Sequence, residues 1–390
     1  AMPSSPSSSS SSSSRSTLSG SGAWQAAWWA EDGAGLFGGE APPHGFGVYN
    51  PSVVAAPLPG HLLVVVRVSN WHYCPSSGWD GNWSEVPHHK AQRRQFNRAV
   101  LALVRTSDWV IVEATPLAFP AERFRARFQE VQDGEVLSER ALEGPEDIRL
   151  FRSPKGRLWV VFTFRTIFIA PLHLRFCAEH GDGGRGSSAS GCSPVAAIDM
   201  DGLVEFSPQG LVDGLHRGLS AFKNFNIVQF VDEGTAVVEF SLNPRVLLQV
   251  DLATGLWYQI YETRIAELPV FSVSKHFYRG GYCCVAPISW QGLEVGLGVA
   301  HIKFNRYVFL HRFYVARTGP PFDVLALSPE FCLRFLGASF GAPWASALGE
   351  GGCETVQFAA GMALVGGDQL VITAGVNDCE ASLVVVDLQV

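Results

Sequence analysis

The chain has 390 residues, a formal net charge of -7, and 17% charged against 47% hydrophobic residues. This length suits one large domain or two ordinary ones with a well-filled core. The acidic balance argues against nucleic acid as a partner, because nucleic acid requires a basic face to displace its counterions. With 40 glycines, 23 prolines and 26 phenylalanines against three methionines, the composition favours a turn-rich β-protein over a helix bundle.

The first 22 residues are of low complexity, with a run of serines after Pro6. Such a segment buries too little apolar surface to fold, so residues 1–22 are predicted to be a disordered tail and residues 23–390 a single domain. The tail has no apolar stretch typical of a secretory signal. It lacks acids and carries Arg15, which is compatible with a plastid-type transit peptide. The compartment stays open between cytoplasm and organelle.

From Trp24 onward, short apolar runs alternate with turn residues. These runs predict roughly twenty short strands, and only Pro120 to Glu139 shows helical stretches. Strands without alternating helices exclude parallel α/β folds and favour a β-propeller or a large sandwich. Twenty strands make five four-stranded blades, so the predicted fold is all-β, a five-bladed β-propeller without a visible WD or kelch repeat. The sequence contains no run of about 18 apolar residues, so no transmembrane span is predicted.

Two local predictions concern a turn and a loop. Val195–Met200 and Leu203–Phe206 flank Asp201-Gly202, a two-residue hairpin signal. Gly181–Cys192 is polar and rich in glycine and serine, which is typical of a loop.

The eight cysteines form no C-x-x-C pair and no zinc-ligand spacing, so no metal site is predicted. A disulfide-dense fold is not indicated, and one or two bridges stay open.

The segment Gly144-Pro145-Glu146-Asp147-Ile148-Arg149-Leu150 is unusual in a chain with so few charges. Two adjacent carboxylates are separated from an arginine by one isoleucine. One interpretation is a turn opened by Gly-Pro, with a solvated ion pair. The other is an acid/base carboxylate that the neighbouring arginine holds at the mouth of a β-scaffold.

Further polar residues occur at the ends of predicted strands. In a propeller, the inner-strand ends and the loops at one end of the molecule converge on a central funnel. Such a funnel would gather side chains from different blades, namely Arg67, Asp147, Arg149, Lys223, Arg245, His301 and Asp378. Simpler alternatives are surface charges for Lys223 and Arg245 and a turn cap for Asp378. A strand histidine such as His311 is usually a hydrogen-bonded structural residue.

Glu146-Asp147-Ile148-Arg149 resembles the Glu-Asp-Pro-Arg signature of glycoside hydrolase family 130, with Ile148 in place of the proline. That family comprises β-mannoside phosphorylases and relatives on a five-bladed propeller. Other segments follow in the family's order over about Asn50 to Val386, namely Asn50-Pro51, Arg67, Lys223, Gly280-Gly281 with His301, and Gly375-Val376-Asn377-Asp378. Ala374 departs from the aromatic residue that often precedes the closing glycine. Asn243-Pro244-Arg245 looks more like eukaryotic and viral relatives, including β-1,2-mannosyltransferase types.

The chemistry of glycosidic bonds narrows what these residues could do. Cleavage requires a proton for the leaving oxygen and a nucleophile at the anomeric carbon. A phosphorylase requires only the acid, because phosphate is the nucleophile, together with cationic side chains that hold the phosphate. One strong acid beside several basic residues therefore favours a phosphate or sugar-phosphate ligand over simple hydrolysis.

We therefore expect an enzyme with Asp147 as general acid, acting directly or through a substrate hydroxyl. The expected binding residues orient the acid, contact sugar hydroxyls, or hold phosphate or the diphosphate of a nucleotide sugar; they are Asn50, Arg67, Glu146, Arg149, Lys223, Arg245, His301 and Asp378. No cofactor is expected, and inorganic phosphate or a sugar 1-phosphate would be the co-substrate. Mannose as the sugar is implied by the family resemblance alone.

Three alternatives stay open beside inverting phosphorolysis of β-mannosides or its reverse. They are a nucleotide-sugar-dependent β-mannosyltransferase, a glycoside hydrolase, and a degenerate propeller that binds glycans without catalysis. Each would take an oligosaccharide or sugar-phosphate partner and none would take nucleic acid. The sequence does not predict an oligomeric state.

Overall fold

The computed structural model describes residues 47–69, 97–119, 144–164, 166–177, 193–206, 225–266, 268, 278–304, 308–333, 356–376 and 380–388. Within these ranges the regular structure consists of twenty β-strands. No helix in the described ranges is long and apolar enough to cross a membrane. The predicted tail, the helical stretches at Pro120–Glu139 and the loop at Gly181–Cys192 lie outside these ranges, and the division into residues 1–22 and 23–390 stays a prediction.

The strands form five blades that follow one another along the chain, and the first two blades are joined into one nine-stranded sheet. Blade 1 contains β1 (Gly47–Ala55), β2 (His61–Ser69), β3 (Asn97–Arg105) and β4 (Ile111–Ala118). Blade 2 contains β5 (Glu146–Arg152), β6 (Leu158–Phe164), β7 (Thr166–Arg175), β8 (Val195–Ile198) and β9 (Val204–Phe206).

The remaining strands build three more blades. Blade 3 contains β10 (Asn226–Asp232), β11 (Thr235–Leu242), β12 (Arg245–Asp251) and β13 (Trp257–Thr263). Blade 4 contains β14 (Tyr278–Trp290), β15 (Leu293–Phe304), β16 (Val308–Arg317) and β17 (Val324–Leu327). Blade 5 contains β18 (Gln357–Val365), β19 (Gln369–Val376) and β20 (Glu380–Asp387). Neighbouring strands within each blade pair antiparallel, and a short parallel pairing of β4 with β8 joins blades 1 and 2.

The first strands of the five blades form a closed ring around the central axis of the molecule. β1 contacts both β5 and β18, and β14 contacts both β10 and β18. A hydrogen bond from Arg149 on β5 to Asn226 on β10 connects the two strands that complete the ring. The predicted all-β, five-bladed propeller is therefore confirmed.

The core of the protein lies between neighbouring blades. One apolar cluster fills the space between blades 1 and 2, a second lies between blades 1 and 5, and a third lies between blades 3 and 4. The largest cluster joins blades 2 to 5. A blade packed on both faces requires apolar side chains in both directions, which explains the unbroken run Leu62-Leu63-Val64-Val65-Val66 on β2.

Alternation along β2 also decides where its one charged side chain lies. Leu63 and Val65 pack towards blade 2, whereas Leu62 and Val64 pack towards blade 5. Successive side chains of a strand point to opposite faces. Arg67 therefore shares the face of Leu63 and Val65 and is directed towards blade 2.

The hairpin predicted at Asp201-Gly202 is wrong. β8 pairs with the end of β7 and β9 pairs with its beginning, both antiparallel, so the two segments run along the same strand one after the other. The Asp199 carboxylate accepts hydrogen bonds from the backbone N–H groups of Asp201 and Gly202. This Asx-type bend redirects the chain without reversing it.

Two smaller features also differ from or add to the sequence-based expectation. The sequence pattern predicts two strands, Glu354–Phe358 and Met362–Val365, whereas the described residues Gln357–Val365 form the single strand β18, with a register shift between Ala359 and Gly361 in place of a turn. Cys177 and Cys332 are each in a disulfide bond, which agrees with the one or two bridges that the sequence left open.

Candidate functional site

All five inner strands carry the same backbone irregularity near their beginnings. In β1, Tyr49 pairs with Arg67 and Ser52 with Val65, so β1 uses one more residue than β2 between the two pairs. The four other inner strands show an equivalent shift. The first residue inside the shift of each inner strand, in chain order, is Asn50, Asp147, Val228, Gly281 and Ala360. A bulge of this kind re-aims side chains and is common next to active sites.

Two of the five bulges contain a residue with left-handed backbone. Asn50 has φ of 52° and Asp147 has φ of 50°. This conformation costs an L-residue roughly 1–2 kcal/mol, and Asn and Asp adopt it most readily among the non-glycine residues. The two bulges bring their side chains together, since Asn50 Nδ2 donates a hydrogen bond of 3.1 Å to Asp147 Oδ1. Strained backbone of this kind is concentrated at functional sites.

The Arg67 side chain contacts both carboxylates of the charged segment. Its NH2 atom lies 3.5 Å from Glu146 Oε1 and its NH1 atom 3.6 Å from Asp147 Oδ1. The guanidinium is fixed from two sides, by a 2.8 Å hydrogen bond from Nε to Asn97 Oδ1 and by the Tyr49 ring, whose centroid is 5.1 Å from Cζ. The exposed fractions are 6% for Arg67, 18% for Glu146 and 11% for Asp147. The ion pair is therefore largely buried, unlike the solvated surface pair of the simpler interpretation.

Close backbone approaches hold this cluster in place. A Cβ atom added to Gly375 would lie 2.3 Å from Asn50 Oδ1, and one added to Gly144 would lie 2.2 Å from the carbonyl oxygen of Asn97. Neither position can accept a side chain without a shift of the site. The Ser52 hydroxyl also accepts a 3.0 Å hydrogen bond from the Leu150 N–H, which joins β1 to β5. The cluster thus lies on rigid, cross-linked strands.

Arg149 lies deeper along β5 and is 1% exposed. Its NH1 atom donates to Asn226 Oδ1, and its Cζ atom lies 5.4 Å from the centroid of the Phe358 ring. Burial lowers the pKa of Arg149 to about 10, and the nearby Asp147 carboxylate opposes this decrease. The guanidinium therefore stays charged at neutral pH. Burial also raises the pKa of the neighbouring Tyr282 phenol, which stays neutral.

His301, on β15 of blade 4, contacts the Phe358 ring of blade 5. The two rings meet edge to face, with their centroids 5.0 Å apart. His311 is the direct cross-strand partner of His301, and its Nε2 atom accepts a 3.4 Å hydrogen bond from the Ala359 N–H. Burial lowers the pKa of His311 to about 4. His311 is therefore neutral at pH 7, as expected of a hydrogen-bonded structural histidine.

Arg245 occupies a different environment within blades 3 and 4. Its side chain is fully buried, its Nε atom donates a 3.0 Å hydrogen bond to Glu239 Oε2, and its NH1 atom donates to the Phe322 carbonyl oxygen. Tyr314 donates a 2.7 Å hydrogen bond to Glu239 Oε1. Arg245 is thus engaged with protein groups, and its predicted role in phosphate binding stays a prediction. The network approaches the centre through the cross-strand pair Asn226 and Glu239.

The structure brings Asn50, Arg67, Glu146 and Asp147 into one cluster of direct contacts. Arg149 and His301 both contact the Phe358 ring. Lys223 and Asp378 lie outside the described residues. Within the described part of the chain, no three His, Cys, Asp or Glu side chains are grouped as metal ligands.

Three residues of the site escaped the sequence-based prediction. Asn97 and Asn226 are buried asparagines at the first positions of β3 and β10, where each accepts a hydrogen bond from an arginine. A polar residue that opens an apolar strand is a signal that the sequence contained. Phe358 had no such signal, since a strand phenylalanine is most often a core residue.

The chain was compared with known proteins by family, by sequence and by structure. No family model matches it, and no curated protein is similar to it in sequence. A glycosyl hydrolase from Bacteroides ovatus is similar in structure, with a TM-score of 0.50 and 13% identity, over 88% of this chain and 84% of that chain.

Two further solved structures give lower scores. A protein of the GH130 family of mannoside phosphorylases has a TM-score of 0.49 and 12% identity, over 88% of this chain and 85% of that chain. A β-1,2-mannobiose phosphorylase from Listeria innocua has a TM-score of 0.46 and 15% identity, over 88% of this chain and 90% of that chain. Identities this low concern the fold alone. The chain is thus a five-bladed propeller that shares its fold with the Bacteroides glycosyl hydrolase.

Proposed function

We propose that the chain is a carbohydrate-active enzyme that breaks or forms a glycosidic bond with Asp147 as the general acid. The observation that carries this proposal is the placement of the Asp147 carboxylate. It lies in a left-handed bulge of an inner strand, where Asn50 and Arg67 contact the same oxygen. A strained, largely buried carboxylate that two polar side chains orient is costly to maintain for stability alone.

The reaction we propose is inverting phosphorolysis of a β-mannoside or its reverse. The Asp147 carboxyl group would give its proton to the leaving glycosidic oxygen, directly or through a substrate hydroxyl. A phosphate oxygen would attack the anomeric carbon from the opposite face, so that one C–O bond forms as the other breaks. The products would be a sugar 1-phosphate and the shortened sugar. The choice of mannose rests on the motifs shared with glycoside hydrolase family 130.

The balance of charges in the site determines which residues could hold a phosphate. Three arginines, Arg67, Arg149 and Arg245, accompany three carboxylates, Glu146, Asp147 and Glu239, so these six groups cancel to zero when all are ionised and leave one positive charge when Asp147 holds the proton it would donate. Phosphate binding requires a surplus of cationic donors. Lys223 would supply that surplus, with His301 as a further donor. The phosphorylase proposal therefore depends on Lys223 more than on any arginine.

A panel of donors tests the reaction. The protein is mixed with mannose and either mannose 1-phosphate or GDP-mannose, and release of phosphate or GDP is measured. We expect phosphate release from mannose 1-phosphate, and a loss of roughly 10²–10⁴-fold in the Asp147→Asn variant. Asp108→Asn, at an exposed turn, is the matched control. Activity of Asp147→Asn equal to that of the unaltered protein would refute the role of Asp147.

The phosphate assignment has a separate test. In the Lys223→Ala variant we expect a weaker apparent affinity for phosphate, by about tenfold or more, because a charge-assisted contact is lost. An unchanged affinity would remove Lys223 from the proposed site. GDP release alone would instead indicate a nucleotide-sugar-dependent transferase.

Hydrolysis is a second candidate, which the adjacent carboxylates of Glu146 and Asp147 favour. An inverting hydrolase uses one carboxylate as acid and another as base for water. Arg67 contacts both carboxylates, so the second one is available in the same cluster. Release of mannose from a β-mannoside without added phosphate would support this candidate. Absence of product from every substrate would indicate a non-catalytic glycan-binding propeller.

A further inference from the structure

His311 occupies a fully buried position next to the proposed site. Its backbone is fixed by two hydrogen bonds with Phe331, one in each direction, of 2.8 and 2.9 Å. Its ring lies between the rings of His301 and Phe331, with centroid distances of 6.5 and 5.8 Å. A ring held in this way has one orientation, and a fully buried side chain cannot itself contact substrate.

The ring of His311 connects blade 4 to the inner strand of blade 5. Its Nε2 atom accepts the hydrogen bond of 3.4 Å from the Ala359 N–H. Only a neutral imidazole can accept at Nε2, with its proton on Nδ1. Because burial lowers the pKa of His311 to about 4, the ring keeps this acceptor throughout the neutral range.

Phe358, the residue before Ala359, contacts two of the predicted binding residues of the site, Arg149 and His301. The Phe358 ring has the Arg149 guanidinium 5.4 Å from its centroid and meets the His301 ring at 5.0 Å. A displacement of the backbone at Ala359 would move this ring and, with it, both neighbours. Shifts of about 1 Å at a distance from the reacting atoms can reduce catalytic rates by about 100-fold.

We infer that His311 is a positioning residue of the proposed site, which holds the β18 backbone at Ala359 and thereby sets the position of the Phe358 ring that contacts Arg149 and His301. The inference rests on the proposed function. It concerns a contact between blades 4 and 5, on the side of the axis opposite to the Asp147 carboxylate.

Three variants of His311 distinguish the effect of its hydrogen bond with the Ala359 N–H from the effect of its side-chain volume. His311→Gln places an amide oxygen near the position of Nε2 and can still accept from the Ala359 N–H. His311→Asn places its amide near the position of Nδ1 and leaves that N–H without an acceptor. His311→Leu removes both polar atoms. His173→Gln, at an exposed position, is the control.

Hydrogen exchange of the Ala359 amide is the first measurement, because it does not depend on activity. We expect exchange about tenfold faster in the Asn and Leu variants than in the unaltered protein, and nearly unchanged exchange in the Gln variant. Equal exchange in all variants would overturn the inference. Faster exchange in the Gln variant than in the Asn variant would overturn it as well.

Activity per folded molecule is the second measurement, with mannose 1-phosphate and mannose as substrates, well below the melting temperature. We expect kcat/KM to fall by about tenfold or more in the Asn and Leu variants and to be restored in the Gln variant. Altered exchange with unaltered kcat/KM would overturn the positioning role. If the unaltered protein itself is inactive on every donor, the proposed function fails, and the role of His311 in that site fails with it, while the exchange result still decides the contact.

Discussion

The inner-strand bulges of blades 1 and 2 differ sharply from those of blades 3, 4 and 5. The backbone irregularity is the same in all five. In blades 1 and 2 it contains Asn50 and Asp147, both with left-handed φ and in contact with each other. In the other three it contains Val228, Gly281 and Ala360. The fold thus repeats the scaffold five times, whereas side-chain choice assigns polar chemistry to two adjacent repeats.

The other side of the axis is closed by packing. A Cβ atom added to Gly281 would lie 2.7 Å from the Ala359 carbonyl oxygen, so the inner strands of blades 4 and 5 approach closely there. The buried groups on this side are aromatic or neutral, such as Tyr282, Phe358 and His311. Blades 4 and 5 therefore form the wall against which the charged groups of blades 1 and 2 are placed.

The largest effect should come from breaking the charged cluster of blades 1 and 2. Arg67→Gln leaves two adjacent, largely buried carboxylates without this cation, and we expect the free energy of unfolding to fall by about 3 kcal/mol. Arg105→Gln removes an exposed pair with Asp108 and should cost no more than about 0.5 kcal/mol. Urea unfolding at pH 7 measures both. Equal losses would mean that burial does not distinguish the two pairs.

The second-largest loss of stability should come from disturbing the close approach between β19 and the bulge of blade 1. At Gly375, an added methyl group would be forced against Asn50 Oδ1 and its backbone nitrogen. We expect Gly375→Ala to lower the free energy of unfolding by about 2 kcal/mol and to reduce activity. Gly319 has no atom within 4 Å of the added Cβ, so Gly319→Ala should be nearly neutral. A neutral Gly375→Ala variant would show that the bulge can move freely.

The neutral side of the axis should respond to acid through His311. Its pKa is about 4 in the folded protein, below the ordinary value of 6.5, so the unfolded chain binds more protons between these values. Stability from this group is therefore fully present above pH 6.5 and is lost as the pH falls towards 4, by about 2 kcal/mol between pH 7.5 and pH 5. Urea unfolding of the unaltered protein and His311→Gln at both pH values isolates this contribution. Identical pH dependence of the two proteins would contradict it.

The smallest effect concerns backbone conformation in the bulges themselves. At position 50, where φ is 52°, we expect Asn50→Gly to be more stable than Asn50→Ala by about 1 kcal/mol, because glycine adopts left-handed backbone without strain. At position 360 the order should reverse, and Ala360→Gly should lose about 1 kcal/mol relative to the unaltered protein. If glycine gave the more stable protein at both positions, or alanine at both, the two bulges would not differ in backbone strain. Thermal unfolding of the three variants provides the measurement.

Much of the fold was predictable because strand formation here depends on local pattern. The apolar run of β2 is visible in the sequence, as is the hairpin of Ala99–Arg105 and Trp109–Ala114 with Thr106-Ser107-Asp108 as its turn, and both are confirmed, although β4 begins only at Ile111. Pairing of β8 and β9 was not predictable from Asp201-Gly202, since both segments select β7 as their partner and the Asp199 side chain shapes the bend. Strand pairing is non-local, and a turn signal does not specify it.

The sequence by itself determined the all-β class, roughly twenty strands and the isolated charged segment around Asp147, because side-chain alternation, turn residues and the scarcity of charge are local. The grouping of Asn50, Arg67 and Glu146 with Asp147 in one predicted site rested in addition on the resemblance to glycoside hydrolase family 130. Tertiary structure alone decided that Arg67 is fixed by Asn97 and that Phe358 contacts both Arg149 and His301. It also decided that Arg245 is engaged with Glu239. Such contacts join residues from different strands or blades, and only closure of the ring brings them within reach of one another.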